Sequence, residues 1–224
     1  MTLRLEGKRV IVTQGSDFMG PAVCELFAAE GAHVIYSTRD LRETGAADDI
    51  VREAGHVDVL VANLMQRNRR NPVPLVTDDE WADMFDMMVH PLHRLVRAVL
   101  PQMINRRTGK IVVMGSANGL RGTAPRSAYS AARGAQLTYV KNAGFEAARH
   151  NVNINAIAQN WTTNPTSFTP EVMAAADFPE RLREVPIGRL AYGWESAALA
   201  LYLAGNESDF FFGQIFPFAG GWQT

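Results

Sequence analysis

Three residues in this chain have the types and spacing of an acid–base site: Ser116, Tyr129 and Arg133. Tyr129 and Arg133 stand four apart at the start of a helical pattern, so their side chains share one face. A guanidinium beside a phenol favours the phenolate and is expected to lower its pKa from about 10. Arginine itself does not give up its proton. The pair therefore suits a tyrosine working as general base near neutral pH, with the Ser116 hydroxyl bonding the substrate oxygen. The same Tyr-x-x-x-Arg spacing also decorates ordinary helix surfaces, so the elements around it must decide.

Ser116 follows Ile111-Val-Val-Met114, a buried strand, and so falls at the strand's carboxyl end, where open parallel sheets place ligands. Further strands are expected at Arg9–Thr13, His33–Tyr36, Val57–Ala62, Asn153–Ile157 and, more weakly, Gln214–Phe218. Helical patterns run over Ala22–Glu30, with Gly31 as the stop, and over Asp79–Arg107, which Pro91 should kink or end. Ala128–His150 and Glu195–Leu203 are two more. Apolar strands alternating with helices imply an α/β fold, one doubly wound Rossmann-like domain over residues 1–224. Its parallel sheet should have about six to seven strands, with helices on both faces.

Composition narrows the function classes. The 224 residues carry a formal net charge of −1, which gives no electrostatic basis for binding nucleic acid or an anionic membrane. Arg67, Arg69 and Arg70 read as a solvated loop. The single cysteine, Cys24, excludes an intrachain disulfide and reads as a small core residue. No apolar run reaches the roughly 20 residues that span a bilayer, and the amino terminus lacks a signal-peptide core. A cytoplasmic location is the expectation. His90 and His93 share a helix face without a third ligand at metal spacing, so no metal is expected. Met84, Met87 and Met88 read as core or interface packing.

Nearly the whole chain resembles the short-chain dehydrogenase/reductase superfamily. The resemblance rests on Val10–Thr13, Asp58–Asn63, Leu100–Met103, Gly109–Val113, Ser116, Tyr129, Val185–Leu190, Gly213-Gln214 and Gly220-Gly221. In that superfamily a lysine that also contacts the nicotinamide ribose stands where this chain has Arg133. The phosphate-binding Thr-Gly-x-x-x-Gly-x-Gly has become Thr13-Gln14-Gly15-Ser16-Asp17-Phe18-Met19-Gly20. Gln14 and Phe18 replace glycines that let a pyrophosphate approach the helix, and Asp17 adds charge of the wrong sign. Ala62–Met65 replaces Asn-Asn-Ala-Gly, and Met88 falls at the superfamily's catalytic asparagine. The segment from Arg39 to His56 is too short for helix–strand–helix, which trims the adenine side. No dinucleotide cofactor is expected, although Arg39 sits where phosphate-preferring reductases hold a basic residue.

Thr-x-x-x-x-Phe-x-Gly with Ser, Tyr and Arg is similar to the halohydrin dehalogenases, and Gln159–Phe168 looks like their halide-binding loop. The resemblance implies that Phe18, Gln159, Asn160, Trp161, Thr162 and Phe168 line a pocket for a halide, which needs backbone N–H or amide donors within aromatic walls. The competing reading of Trp161 and Phe168, as plain core residues, carries less weight given the whole pattern. The implied activity is cofactor-free conversion of vicinal halohydrins to epoxides, and epoxide opening by halide, azide, cyanide or nitrite. The implied partners are haloalcohol or epoxide and small anions, with a homotetramer built through Pro91–Arg106 and Ala128–His150. A diverged nicotinamide-dependent reductase and a catalytically silent relative are the competing readings.

Overall fold

The computed structural model describes residues 3–67 and 70–223. Strands β1 (Arg9–Thr13), β2 (His33–Ser37), β3 (Val59–Asn63), β4 (Gly109–Met114), β5 (Val152–Gln159) and β6 (Ile215–Phe218) form one sheet. Their order is β2-β1-β3-β4-β5-β6, and every pairing is parallel. Six strands rather than seven follow from the short segment after β2. It holds only one helix, α2 (Ala46–Ala54), so β2 remains the sheet edge.

Helices α1 (Gly20–Ala29), α3 (Asp78–Met88), α4 (His90–Arg106), α5 (Ser127–Ala148) and α8 (Gly193–Ala204) complete the main layers. The two faces follow from strand alternation. Val10 and Val12 point to the layer of α1 and α8, where Val23, Phe27, Ala197 and Ala200 close a core. Ile11, Leu60, Ile111 and Ile154 point the other way, onto Ile50, Leu95, Val99 and Val140 of α2, α4 and α5. Pro91 does interrupt the expected long helix. The chain breaks at Val89, and the proline sits in the first turn of α4, where a missing N–H costs nothing. Two short helices, α6 (Pro170–Met173) and α7 (Phe178–Leu182), form within a segment whose conformation the sequence left open.

The chain leaves β1 for β2 on one side and returns to β3 on the other. The crevice over the carboxyl ends of β1 and β3 is therefore the switch point where such sheets bind ligands. The loops after β1, β3, β4 and β5 all end there.

Candidate active site

A cavity of about 430 Å³ opens at this end of the sheet. Ser116, Tyr129, Phe18, Gln159, Asn160, Trp161, Thr162 and Phe168 all line it. Each arrives from a different part of the framework: Phe18 from the loop after β1, Ser116 from the end of β4, Tyr129 from the first turn of α5. Gln159 is the last residue of β5.

Ser116 is buried, and its Oγ accepts from the Asn118 amide at 3.2 Å and donates to Asn118 Oδ1 at 3.3 Å. Asn118 in turn donates to Thr123 Oγ1 at 2.9 Å, which fixes the turn that carries the serine. Among the described residues, the Tyr129 hydroxyl makes no hydrogen bond, so it is available to a molecule in the cavity.

Arg133 stands beside Tyr129 rather than in the cavity itself. It is fully buried behind the cavity wall, its guanidinium carbon 5.1 Å from the Tyr129 ring centre and 5.5 Å from that of Phe18. Its partners are neutral: Met114 O at 3.1 Å, Gln136 Oε1 at 2.9 Å and Met65 Sδ at 3.5 Å. No carboxylate forms an ion pair with it among the described residues. A buried cation held this way costs several kcal/mol in lost hydration. It places a positive charge behind the Phe18 and Tyr129 rings that line the cavity. Gln136, also fully buried, links this cation to Met88 O at 2.7 Å. The sequence reading missed Gln136; its signal was an amide three residues after Arg133 on an otherwise apolar face.

The loop after β1 keeps a glycine-type backbone while carrying side chains. Gln14 has φ 45° and Phe18 φ 50°, left-handed values that cost non-glycine residues energy. The Gln14 amide group bridges to Met65, donating to its carbonyl at 3.1 Å and accepting from its N–H at 2.7 Å. Phe18 is buried, and its N–H donates to Thr166 Oγ1 at 2.8 Å. Asn63 stitches the loop by donating to the carbonyls of Gln14 and Asp17 at 3.0 and 2.9 Å. Gly20 must stay bare, because a Cβ there would strike the Gln14 carbonyl, and so must Gly15, where a Cβ would strike the Cβ of Tyr36. A dinucleotide pyrophosphate does not fit this place. The Phe18 N–H that would face it is taken, and two side chains fill the space that glycines leave open. Arg39 is committed elsewhere, to Asp49 at 3.4 Å and Glu53 at 2.5 Å on α2.

Several backbone donors of the expected halide loop are already taken. Asn160 N–H donates to Phe218 O at 3.0 Å, and Trp161 N–H donates to Asn160 Oδ1 at 2.9 Å. Side-chain donors are also left over. Gln159 Nε2 and Trp161 Nε1 are buried without an acceptor, although Gln159 Oε1 accepts from Ser196 Oγ at 2.5 Å. An unfilled buried donor costs about 1–3 kcal/mol. Trp161 and Phe168 are both wall and core, with ring centres 5.5 Å apart and Phe178 behind.

The remaining candidates are structural. His90 pairs with Asp86 at 3.0 Å, and His93 packs edge-on to Tyr139. No group of three metal-ligating side chains occurs among the described residues. Met84 and Met88 are buried with Tyr129 in one cluster. Burial pushes the Cys24 thiol up from its ordinary value.

Residues 2–174 match the family described as short chain dehydrogenase. The chain belongs to the short-chain dehydrogenase family. It is 30% identical to the 3-oxoacyl-(acyl-carrier-protein) reductase FabG of Vibrio harveyi, with 98% of each chain covered. The FabG of Salmonella typhimurium is 28% identical, with the same coverage. Among solved structures, one titled "Dehalogenation enzyme" superposes with a TM-score of 0.92 at 26% identity, covering 98% of this chain and 99% of that one. Within the short-chain dehydrogenase fold, then, this chain resembles both reductases and a dehalogenating protein. No helix among the described residues is long and apolar enough to cross a membrane.

Proposed function

We propose that this protein is a cofactor-independent lyase that closes vicinal halohydrins to epoxides with release of halide, and opens epoxides with halide, azide, cyanide or nitrite. The observation that carries this reading is a cavity suited to an anion: a buried Arg133 with neutral partners lies behind Phe18 and Tyr129, and two N–H donors in the wall lack acceptors. The filled phosphate loop supports it, because the reaction needs no nucleotide.

Ser116 holds the substrate hydroxyl oxygen, and Tyr129 in its anionic form takes the hydroxyl proton. The oxygen's electron pair forms the C–O bond to the neighbouring carbon as the carbon–halogen bond breaks. Halide departs with the bonding pair toward Phe18, Gln159 and Trp161, with Asn160, Thr162 and Phe168 completing the wall. Tyr129 then passes the proton to solvent. Arg133 touches none of these atoms and acts as a positioning residue through the two rings it supports. Holding the substrate for in-line displacement is the main catalytic contribution.

The test is chloride release from 1,3-dichloro-2-propanol without any nucleotide, together with titration of NADH and NADPH. Release that vanishes in Tyr129→Phe supports the lyase. Saturable nucleotide binding without chloride release would support the reductase reading that the FabG relatives favour. Absence of both would leave the silent-relative reading.

We further propose a homotetramer in the cytoplasm, without nucleic-acid or membrane partners. A monomer by light scattering would refute it.

A further inference from the structure

We infer that the organic substrate carries a carboxylate, bound by Arg126 at the mouth of the cavity. This rests on the dehalogenase reading above and names its substrate class.

The charged residues lining the cavity are Arg67, Arg70, Arg126, Arg181 and Glu184. Four cations face one anion in a protein whose net charge is −1. Glu184 already accepts from Trp222 Nε1 at 3.2 Å, and Arg181 leans on Asp177 at 3.9 Å and on the Phe178 ring. Arg126 is different. It is half-buried, yet its guanidinium makes no hydrogen bond or ion pair among the described residues. Burial, with the charges of Arg70 and Arg181, pulls its pKa down from the ordinary guanidinium value. The Glu184 carboxylate offsets this pull only in part, and arginine stays protonated, so the site holds a charge whose guanidinium has no direct partner among the described residues.

Local structure also disfavours an arginine here. Arg126 is the N-cap of α5, and its side chain makes no capping bond. Serine, threonine, aspartate or asparagine would serve the helix better, and a cation at this end opposes the helix dipole. Arg126 thus weakens its own helix, three residues before Tyr129. A carboxylate on the substrate would supply the missing direct acceptors and a second counter-charge beside Glu184, in the planar geometry that guanidinium matches. It would also fix which way the hydroxyl presents to Ser116 and Tyr129.

The experiment compares chloride release from 4-chloro-3-hydroxybutanoate and from its methyl ester. The native protein should favour the acid in kcat/KM. Arg126→Gln should lower that acid-to-ester ratio by about 10- to 100-fold, the worth of one charge-assisted contact, and Arg126→Lys should keep most of it. Preference of the native protein for the ester, or an unchanged ratio in Arg126→Gln, overturns the inference. The native ratio decides even if a variant fails to fold. Calorimetric binding of 3-hydroxybutanoate, which has no halogen, separates the two levels. If neither chlorohydrin reacts but 3-hydroxybutanoate binds the native protein and not Arg126→Gln, the dehalogenase reading falls and the carboxylate site stands. If both react without acid preference, the reverse holds.

Discussion

Phe18 gives an unusual reversal of the order in which alanine and glycine destabilise a protein. In regular structure glycine is the worse replacement by roughly 0.5–1 kcal/mol. Phe18, however, has φ 50° and a ring only 7% exposed, 5.5 Å from the Arg133 guanidinium carbon. Phe18→Ala removes the ring but keeps the left-handed backbone, so it should cost about 3–5 kcal/mol. Phe18→Gly removes the same ring and also relieves about 1–2 kcal/mol of backbone strain, for a net loss of about 2–3 kcal/mol. In a chain of this size each kcal/mol is about 2–4 °C in Tm. Glycine should therefore melt above alanine by several degrees, with both below the native protein. Urea unfolding followed by tryptophan fluorescence measures both differences. Alanine matching or exceeding glycine would refute the strained loop, and glycine exceeding the native protein would refute the packed ring.

Gln136→Leu removes an acceptor from the buried Arg133 and the donor to Met88 O, so it should cost about 3 kcal/mol in denaturant unfolding. Native stability in that variant would show that Arg133 has another anchor. Arg126→Asn supplies a better N-cap and removes a cation from the positive end of α5. Its Tm should rise by about 2–4 °C while the acid preference falls, and a lower Tm would contradict the cost assigned to Arg126. Glu195 accepts from Arg189 at 2.8 Å and from the Tyr192 N–H at 2.7 Å, which holds its carboxyl down at about 2 from an ordinary 4.5. The folded-state value is the lower one, so this stabilisation is complete above the unfolded value and fades as pH falls toward 2. Glu195→Gln should be less stable than the native protein at pH 7, with the gap closing between pH 4.5 and 2. A gap independent of pH would remove the carboxylate from the explanation.

Much of the fold was legible in the chain because its signals are short-range. Buried strands, a proline that splits α3 from α4, and a segment too short for a seventh strand are all local properties. So was the change in the phosphate loop: a glycine replaced by Gln14 or Phe18 forces a side chain into the loop whatever the surroundings. The spacing of Tyr129 and Arg133 fixed them to one helix face before any packing was known.

Only the tertiary structure decided what those residues meet. The spacing put Arg133 beside Tyr129, and packing adds that it is buried behind Phe18 and Tyr129 with Gln136 and Met114 as partners. In the halide loop the N–H groups of Asn160 and Trp161 go to Phe218 and Asn160, while the side-chain donors of Gln159 and Trp161 are left without acceptors. Arg126, at the start of α5, and Arg181, on α7, line one cavity although they stand far apart along the chain. Periodicity and backbone strain act over a few residues and can be read from a sequence. Counter-charges and hydrogen-bond partners lie dozens of residues away along the chain, so only the completed packing determines which charge is left without one.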